Sequence, residues 1–268
     1  MKLHYDPCQI FRSSNTPAGL YARQKWLGES GTQQWLQDFQ ECVSTLLADQ
    51  SSGGSWHGDP LATINRLFGL HLTQRSSTRQ IDGALDWLLG GIEITQEGLV
   101  IRHKVGDVAD TDLKGLPFVW SRSDILLTSA TLFLCSIFSR QKDPSVLKLY
   151  RWLCDHSGVW MQDSRSLHNV LRALVVHPVF TRDSVVKTAV DRLVDCQTEI
   201  GDWGDDYPFC QTVNALAHLN LPQAERQLEK AVRRLIDIQK SNGTFGSDEP
   251  EWNTFLCVHA LRNKGILK

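Results

Sequence analysis

The chain has 268 residues, a formal net charge of −2 at pH 7, 41% hydrophobic and 22% charged residues. That balance fits a globular domain with a full core and excludes a disordered chain. Without a stripe of Lys and Arg it also excludes a nucleic-acid binder. Seven cysteines, odd in number and scattered through apolar segments, read as reduced thiols and not as a disulfide framework. The N-terminus shows no signal-like apolar region, and no apolar run reaches the ~20 residues of a membrane span. The expectation is a cytoplasmic chain with no transmembrane segment.

In chain order, residues 17–27 ("PAGLYARQKWL") predict a first helix and 33–50 ("QQWLQDFQECVSTLLADQ") a second, more charged one. Residues 60–72 ("PLATINRLFGLHL") predict an apolar helix and 78–92 ("TRQIDGALDWLLGGI") another charged one. Residues 93–122 have no helical period. An aperiodic stretch of about thirty residues is usually functional or disordered, so it is expected as an insertion, a candidate lid, with a small hairpin in "GLVIRHKVG". Helical period resumes at 123–138 and 166–176, then 184–197, 208–219, 226–239 and 251–261. In "RQLEKAVRRLIDIQ", Leu228, Ala231, Val232, Leu235 and Ile236 fall at i, i+3, i+4, i+7 and i+8, one apolar face on a charged helix.

The charged helices end alike. "QSSGGSW", "QTEIGDW" and "QKSNGTF" place a glutamine, a glycine and an aromatic at fixed spacing, with Gln197 and Gln239 42 residues apart. A fourth copy, "WLCDHSGVWMQD", has His156 in place of the glutamine and Trp160 at the aromatic position. Each copy has an aspartate three residues past the aromatic: Asp59, Asp163, Asp206 and Asp248. Aspartate is a preferred N-cap and proline suits the first helical turn, so these four read first as helix starts, with Glu251 in capping-box position. Six apolar and five charged helices in alternation, the fifth charged one being the segment that runs into "WLCD" of the fourth copy, predict an all-α fold, an α/α toroid close to a complete (α/α)6 barrel, as a single domain over 1–268 with the insertion at 93–122.

The glutamine, glycine and aromatic elements, the period near 42 and the alternating helices resemble the squalene/hopene (terpene) cyclase and protein prenyltransferase β-subunit superfamily. The resemblance implies an α/α toroid whose aromatic-lined central cavity takes isoprenoid chains. Neither of the family's two catalytic signatures is present. The D-x-D-D acid of class II cyclases is missing; the nearest approaches are Asp107, Asp110 and Asp112, and the pair Asp205 and Asp206. The zinc set of the prenyltransferases is missing too, since Cys210 lies four residues after Asp206 and the expected histidine region reads "EWNT". His259 and Cys257, two apart on a helix, point to different faces. No metal and no cofactor are expected.

The candidate acid/base residues are Asp205, Asp206 and His168, the last by the pKa class of its side chain. Eight and nine residues past the repeated aromatic the helices read Ile64 and Asn65, His168 and Asn169, Gln211 and Thr212, Asn253 and Thr254. Polar groups in apolar helices must be paired or meet a ligand. Asn65, Asn169, Gln211, Asn214 and Asn253, with Arg165 and the unrepeated Trp120 and Trp252, are therefore the candidate substrate-binding residues; bonds among themselves or to nearby backbone are the competing reading. Three functions come into view: an enzyme of terpene cyclase or prenyltransferase type acting on an apolar substrate in a central cavity, a non-catalytic toroid serving as a binding or assembly subunit with a partner, or a carbohydrate-active toroid with paired carboxylates.

Overall fold

A computed structural model describes residues 2–103, 116–118 and 123–267. The expected all-α class holds: these residues are mostly helical, and the sheet among them is one two-stranded hairpin. In chain order the elements are α1 (Pro17–Lys25), α2 (Gln33–Leu47), α3 (Pro60–Thr73), α4 (Arg79–Gly90), β1 (Ile92–Ile94), β2 (Leu99–Ile101), α5 (Asp124–Ile137), α6 (Pro144–Asp155), the single turn α7 (Ser157–Trp160) and α8 (Ser164–Val176). Then come α9 (Ser184–Cys196), α10 (Phe209–Ala217), α11 (Pro222–Ile238) and α12 (Pro250–Asn263). They gather into two compact units: a terminal unit of residues 1–38 and 181–268, and a middle unit of residues 39–180.

Two kinds of helix alternate, as the periodicity predicts. On α11 only a stripe is buried, Ala224, Gln227, Leu228, Ala231, Val232 and Leu235, which is the spacing of one helical face. On α5 every residue from Leu126 to Cys135 is buried, and on α8 every residue from Leu167 to Val175. A helix covered on all sides belongs to a core. In the middle unit α5 packs on α3, α4, α6 and α8; in the terminal unit α12 packs on α1 and α10.

The recurring turns are built by one device. Gln50 Nε2 donates to the carbonyls of Gly54 and Gln80, each at 2.8 Å. Gln197 Nε2 donates to Gly201 O at 3.2 Å and Gln227 O at 2.9 Å, and Gln239 Nε2 to Gly243 O at 3.1 Å and Tyr5 O at 3.0 Å. The amide thus closes its own turn and ties it to a second segment. Gly201 has φ +94°, and a Cβ there would lie 2.6 Å from Lys230 O, so only glycine fits. The aromatic that comes next is buried by its ring and satisfied at its indole nitrogen: Trp56 Nε1 donates to Ala48 O at 2.8 Å, Trp160 Nε1 to Leu153 O at 2.8 Å and Trp203 Nε1 to Gln227 Oε1 at 3.0 Å.

Two expectations need correction. Asp59 and Asp163 do cap helices, accepting from the Ala62 N–H at 2.8 Å and the Ser166 N–H at 2.7 Å. Asp206 and Asp248 do not. Pro208 holds the N-cap position of α10, leaving Asp206 too far upstream to reach its first amides. At α12 that position belongs to Glu249, with φ +48°, and Glu251 accepts from the hydroxyls of Ser14 (2.7 Å) and Thr16 where a capping box would turn it back on its own helix. The hairpin also differs. Leu99–Ile101 pairs antiparallel with Ile92–Ile94, upstream of the stretch expected to form it. Gly90 and Gly91 stop α4, and the alternating Ile92 and Ile94 suit a strand.

Candidate functional site

Two groups of side chains stand out, one in each unit. In the middle unit the group lies on the seam between α5 and α8. These helices run in the same direction: His177, just past α8, bonds through Nε2 to Gln141 O, just past α5, at 3.1 Å. Halfway along, the Tyr150 hydroxyl reaches Leu132 O and Ala173 O, each at 3.0 Å. The Arg172 guanidinium lies over the Phe133 ring, 5.5 Å from its centroid. One turn earlier on each helix stand Ser129 and His168, so the parallel register sets them level with each other.

His168 is 1% exposed. Its ring donates to the carbonyl of Pro117, the proline having no N–H to offer in return, while its Nε2 has no partner among the described residues. The donor is therefore Nδ1–H, and Nε2 presents a bare lone pair. Burial, with the Arg172 charge acting in the same sense, pushes the imidazole down to about 3. Burial pushes Arg172 itself down to about 10, still charged at neutral pH. The hydroxyls of Thr128 and Ser129, both 0% exposed, also lack partners among the described residues. Phe118 meets Phe133 edge to face at 5.4 Å, and Phe68 approaches the same ring at 6.0 Å.

In the terminal unit six rings converge on α12. Phe255 stacks on Trp252 at 5.2 Å and on Trp26 at 5.2 Å, and takes Tyr21 at 5.2 Å and Phe11 at 6.4 Å edge-on. His259 lies one turn on, 6.0 Å from Phe255, and Arg262 lies 5.7 Å over Trp26. These contacts are within the range of favourable aromatic pairs. Asn214 of α10 donates to Leu256 O at 3.0 Å and lies 3.3 Å from His259 Nδ1.

The sequence candidates divide between the units. His168, Asn169, Asn65 and Arg165 belong to the middle unit; Asp205, Asp206, Gln211, Asn214, Trp252 and Asn253 to the terminal unit. His168 and Asn169 are buried, Asn65 is half-buried and Arg165 is exposed. Trp252 and Asn214 are brought together around Phe255 and His259. Gln211 is half-buried on α10. Asn253 donates to Asp248 O at 2.6 Å, closing its own turn. Asp205 and Asp206 are exposed on the turn before α10. Trp120 lies outside the described residues, as do Asp107, Asp110 and Asp112. Sequence reasoning missed Ser129, a polar residue inside an apolar run, and the ring set of Phe11, Tyr21, Trp26, Phe255 and His259. The i, i+4 spacing of Phe255 and His259 was its one local trace. Among the described residues no group of three or more His, Cys, Asp or Glu could hold a metal ion, and no helix is long and apolar enough to cross a membrane.

No family model and no curated protein matches the sequence. Solved structures do resemble the fold. One is a variant of the type II terpene cyclase MstE from Scytonema in complex with its substrate geranylgeranyl dihydroxybenzoate, with a TM-score of 0.59, 12% identity, and coverage of 94% of this chain and 87% of that one. The same enzyme without ligand gives a TM-score of 0.59 at 11% identity, over 94% of this chain and 88% of that one. The chain shares the terpene cyclase fold.

Proposed function

We propose that the protein is an α/α toroid of terpene cyclase type, a single domain over 1–268, that binds an isoprenoid or similarly apolar molecule. The observation that carries this is the ring set around Phe255, with Trp252, Trp26, Tyr21 and Phe11 all on its faces or edges. Such a cluster supplies apolar area for a branched hydrocarbon chain and aromatic rings for a developing carbocation. The fold shared with a cyclase that holds a geranylgeranyl substrate supports the same ligand class.

Catalysis of the cyclase kind needs an acid that protonates an alkene or epoxide. Asp205 and Asp206 stand exposed on the turn before α10, not enclosed where an apolar substrate would be held. His168 is neutral and offers a lone pair; it suits removal of a proton at the end of such a reaction, not delivery of one at the start. This favours, as a second reading, a toroid that binds the apolar molecule without turning it over, as a binding or assembly subunit. The carbohydrate reading is weaker, because Asp205 and Asp206 share one exposed turn in place of flanking a cleft.

The experiment is a titration of the folded chain with geranylgeraniol, followed by tryptophan fluorescence and thermal melting. Saturable binding with a rise in Tm is expected, since a ligand bound only to the native state stabilises it. A chain that is folded by circular dichroism yet shows neither effect refutes the proposal.

A further inference from the structure

A cavity of about 320 Å³ lies on the middle unit, between the β1–β2 turn, the first residues of α5 and the end of α6. It is distinct from the α5–α8 seam and from the ring set around Phe255, and its ligand chemistry is independent of the isoprenoid reading. Each wall is fixed by its own chemistry. The turn is closed by Thr95, whose N–H donates to Gly98 O at 2.8 Å and whose hydroxyl donates to the same oxygen at 3.1 Å. Gly98, at φ +133°, brings the turn against the Trp152 indole, with a Cβ there only 3.9 Å from Cζ2, next to the ring carbon that bears Nε1. The turn also carries Glu97 to the cavity's edge. Opposite, Asp124 opens α5 and accepts the Ile101 N–H, while partial burial holds its carboxyl above the usual range.

The α6 wall is a stacked pair. Trp152 and His156, one turn apart, lie with centroids 4.4 Å apart and planes at 10°. His156 Nδ1 is 2.9 Å from Trp152 O. A carbonyl only accepts, so Nδ1 carries the hydrogen and Nε2 is left as an acceptor. Trp152 is 9% exposed, yet its indole N–H has no hydrogen-bond partner among the described residues. The N–H is left to solvent or to an acceptor placed in the cavity that Trp152 lines. Among the described residues no lysine or arginine lines the cavity.

The polar inventory defines the complement. Two carboxylates, Glu97 and Asp124, ask for positive charge. His156 Nε2 asks for a donor and Trp152 Nε1–H for an acceptor, while the exposed face of the imidazole offers a flat surface. A hydroxyl group both donates and accepts, and an ammonium supplies the charge. The volume is at the small end of the ~300–1,000 Å³ of ligand sites, enough for one substituted six-membered ring. We propose that this cavity binds a small hydroxylated amine of amino-sugar size, its ammonium against Asp124 and Glu97 and a hydroxyl on Trp152 Nε1. Anionic ligands such as nucleotides and sugar phosphates are repelled by the same carboxylates.

The test uses the full chain with glucosamine as probe, read by tryptophan fluorescence and by NMR titration at pH 7. Saturable binding is expected, weakening as salt rises. Glucose, which lacks the ammonium, and cyclohexylamine, which lacks the hydroxyls, should each bind at least about tenfold more weakly, the scale of one charge-assisted bond. Asp124→Asn and Glu97→Gln should each weaken glucosamine by about tenfold. Trp152→Phe, which keeps a ring and removes the N–H, should weaken it by about fivefold. Glu97 is exposed, so its variant stays informative if a substitution at Asp124 disturbs α5. Absence of saturable glucosamine binding overturns the proposal. So does equal binding of glucose, which makes the site a neutral-sugar one, or equal binding of cyclohexylamine, which removes the role of Trp152.

Discussion

Lowering the pH from 7 to 5 should destabilise the wild-type protein more than a His168→Gln variant, by about 2 kcal/mol. The folded-state imidazole is pushed down to about 3, while an unfolded histidine titrates near ~6.5. Below ~6.5 the unfolded chain takes up a proton that the folded chain refuses, so protonation favours unfolding. The stabilisation is fully present above the unfolded value and falls by ~1.4 kcal/mol for each pH unit below it, until the folded value is reached. From pH 7 to 5 about one and a half such units are traversed, which gives the ~2 kcal/mol. Glutamine can still donate to Pro117 O and does not titrate, so the difference between the two proteins isolates His168. His177, which burial also pushes down, is common to both and cancels. Urea unfolding at the two pH values measures the double difference, and the His168 ring proton followed by NMR gives the titration directly. Identical pH slopes, or a His168 resonance that titrates near ~6.5, would refute the reasoning from burial and Arg172.

The recurring aspartates give a sharper contrast than any one of them alone. Asp59→Ala should cost about 1 kcal/mol and Asp59→Asn almost nothing, because asparagine caps as well; Asp206→Ala should stay within about 0.5 kcal/mol, and equal losses in thermal or urea melts would contradict the cap assignments. Gln197→Ala removes two hydrogen bonds, to Gly201 O and Gln227 O, for an expected ~1–3 kcal/mol. Gln197→Glu should be worse at pH 7, since a carboxylate turns lone pairs on both carbonyls, and its deficit should shrink in acid as the group gains a proton. A Glu variant as stable as wild type by denaturant midpoint would show that these amide bonds do not hold the turn.

What was legible in the sequence is what is local. The charged helices announce themselves by a stripe at 3.6-residue spacing, and the turns by a glutamine whose amide reaches a carbonyl four residues on, with glycine where φ is positive. Both are short-range rules that act within one turn of chain. The hairpin was misplaced because strand pairing depends on which partner is nearby: Ile92 closes the stretch read as helix and Ile94 falls in the stretch read as insertion, yet α4 stops at Gly90 and the two pair with Leu99–Ile101. The caps at Asp206 and Asp248 failed for a related reason. A cap works only if the helix begins in the next residue or two, and the proline that marks the start stands at N-cap in α10 but inside the helix in α3. The ring set around Phe255 joins residues 11, 21 and 26 to 252, 255 and 259, a juxtaposition no window along the chain contains.

The polar level read from the apolar helices shows why a count of buried polar residues cannot by itself find a site. Thr63 accepts the Trp56 N–H at 3.1 Å and donates to Asp59 O at 2.8 Å; Thr254 accepts the Phe245 N–H at 3.0 Å and donates to Pro250 O at 2.6 Å. Thr212 donates to Pro208 O at 3.0 Å, and Asn253 to its own turn. Each threonine bonds back to the carbonyl four residues earlier, a habit of hydroxyls in helices, and Thr63 and Thr254 also hold the preceding aromatic turn in place. These groups recur because the turn recurs. His168, at the same level of its own helix, behaves otherwise: its Nε2, like the hydroxyls of Thr128 and Ser129 on α5, is buried and unmatched among the described residues. An unmatched polar atom in a core costs about 1–3 kcal/mol that a repeat element has no reason to bear. The unmet hydrogen bond, and not position in the repeat, therefore separates the α5–α8 seam from the scaffold, on grounds that sequence spacing alone does not supply.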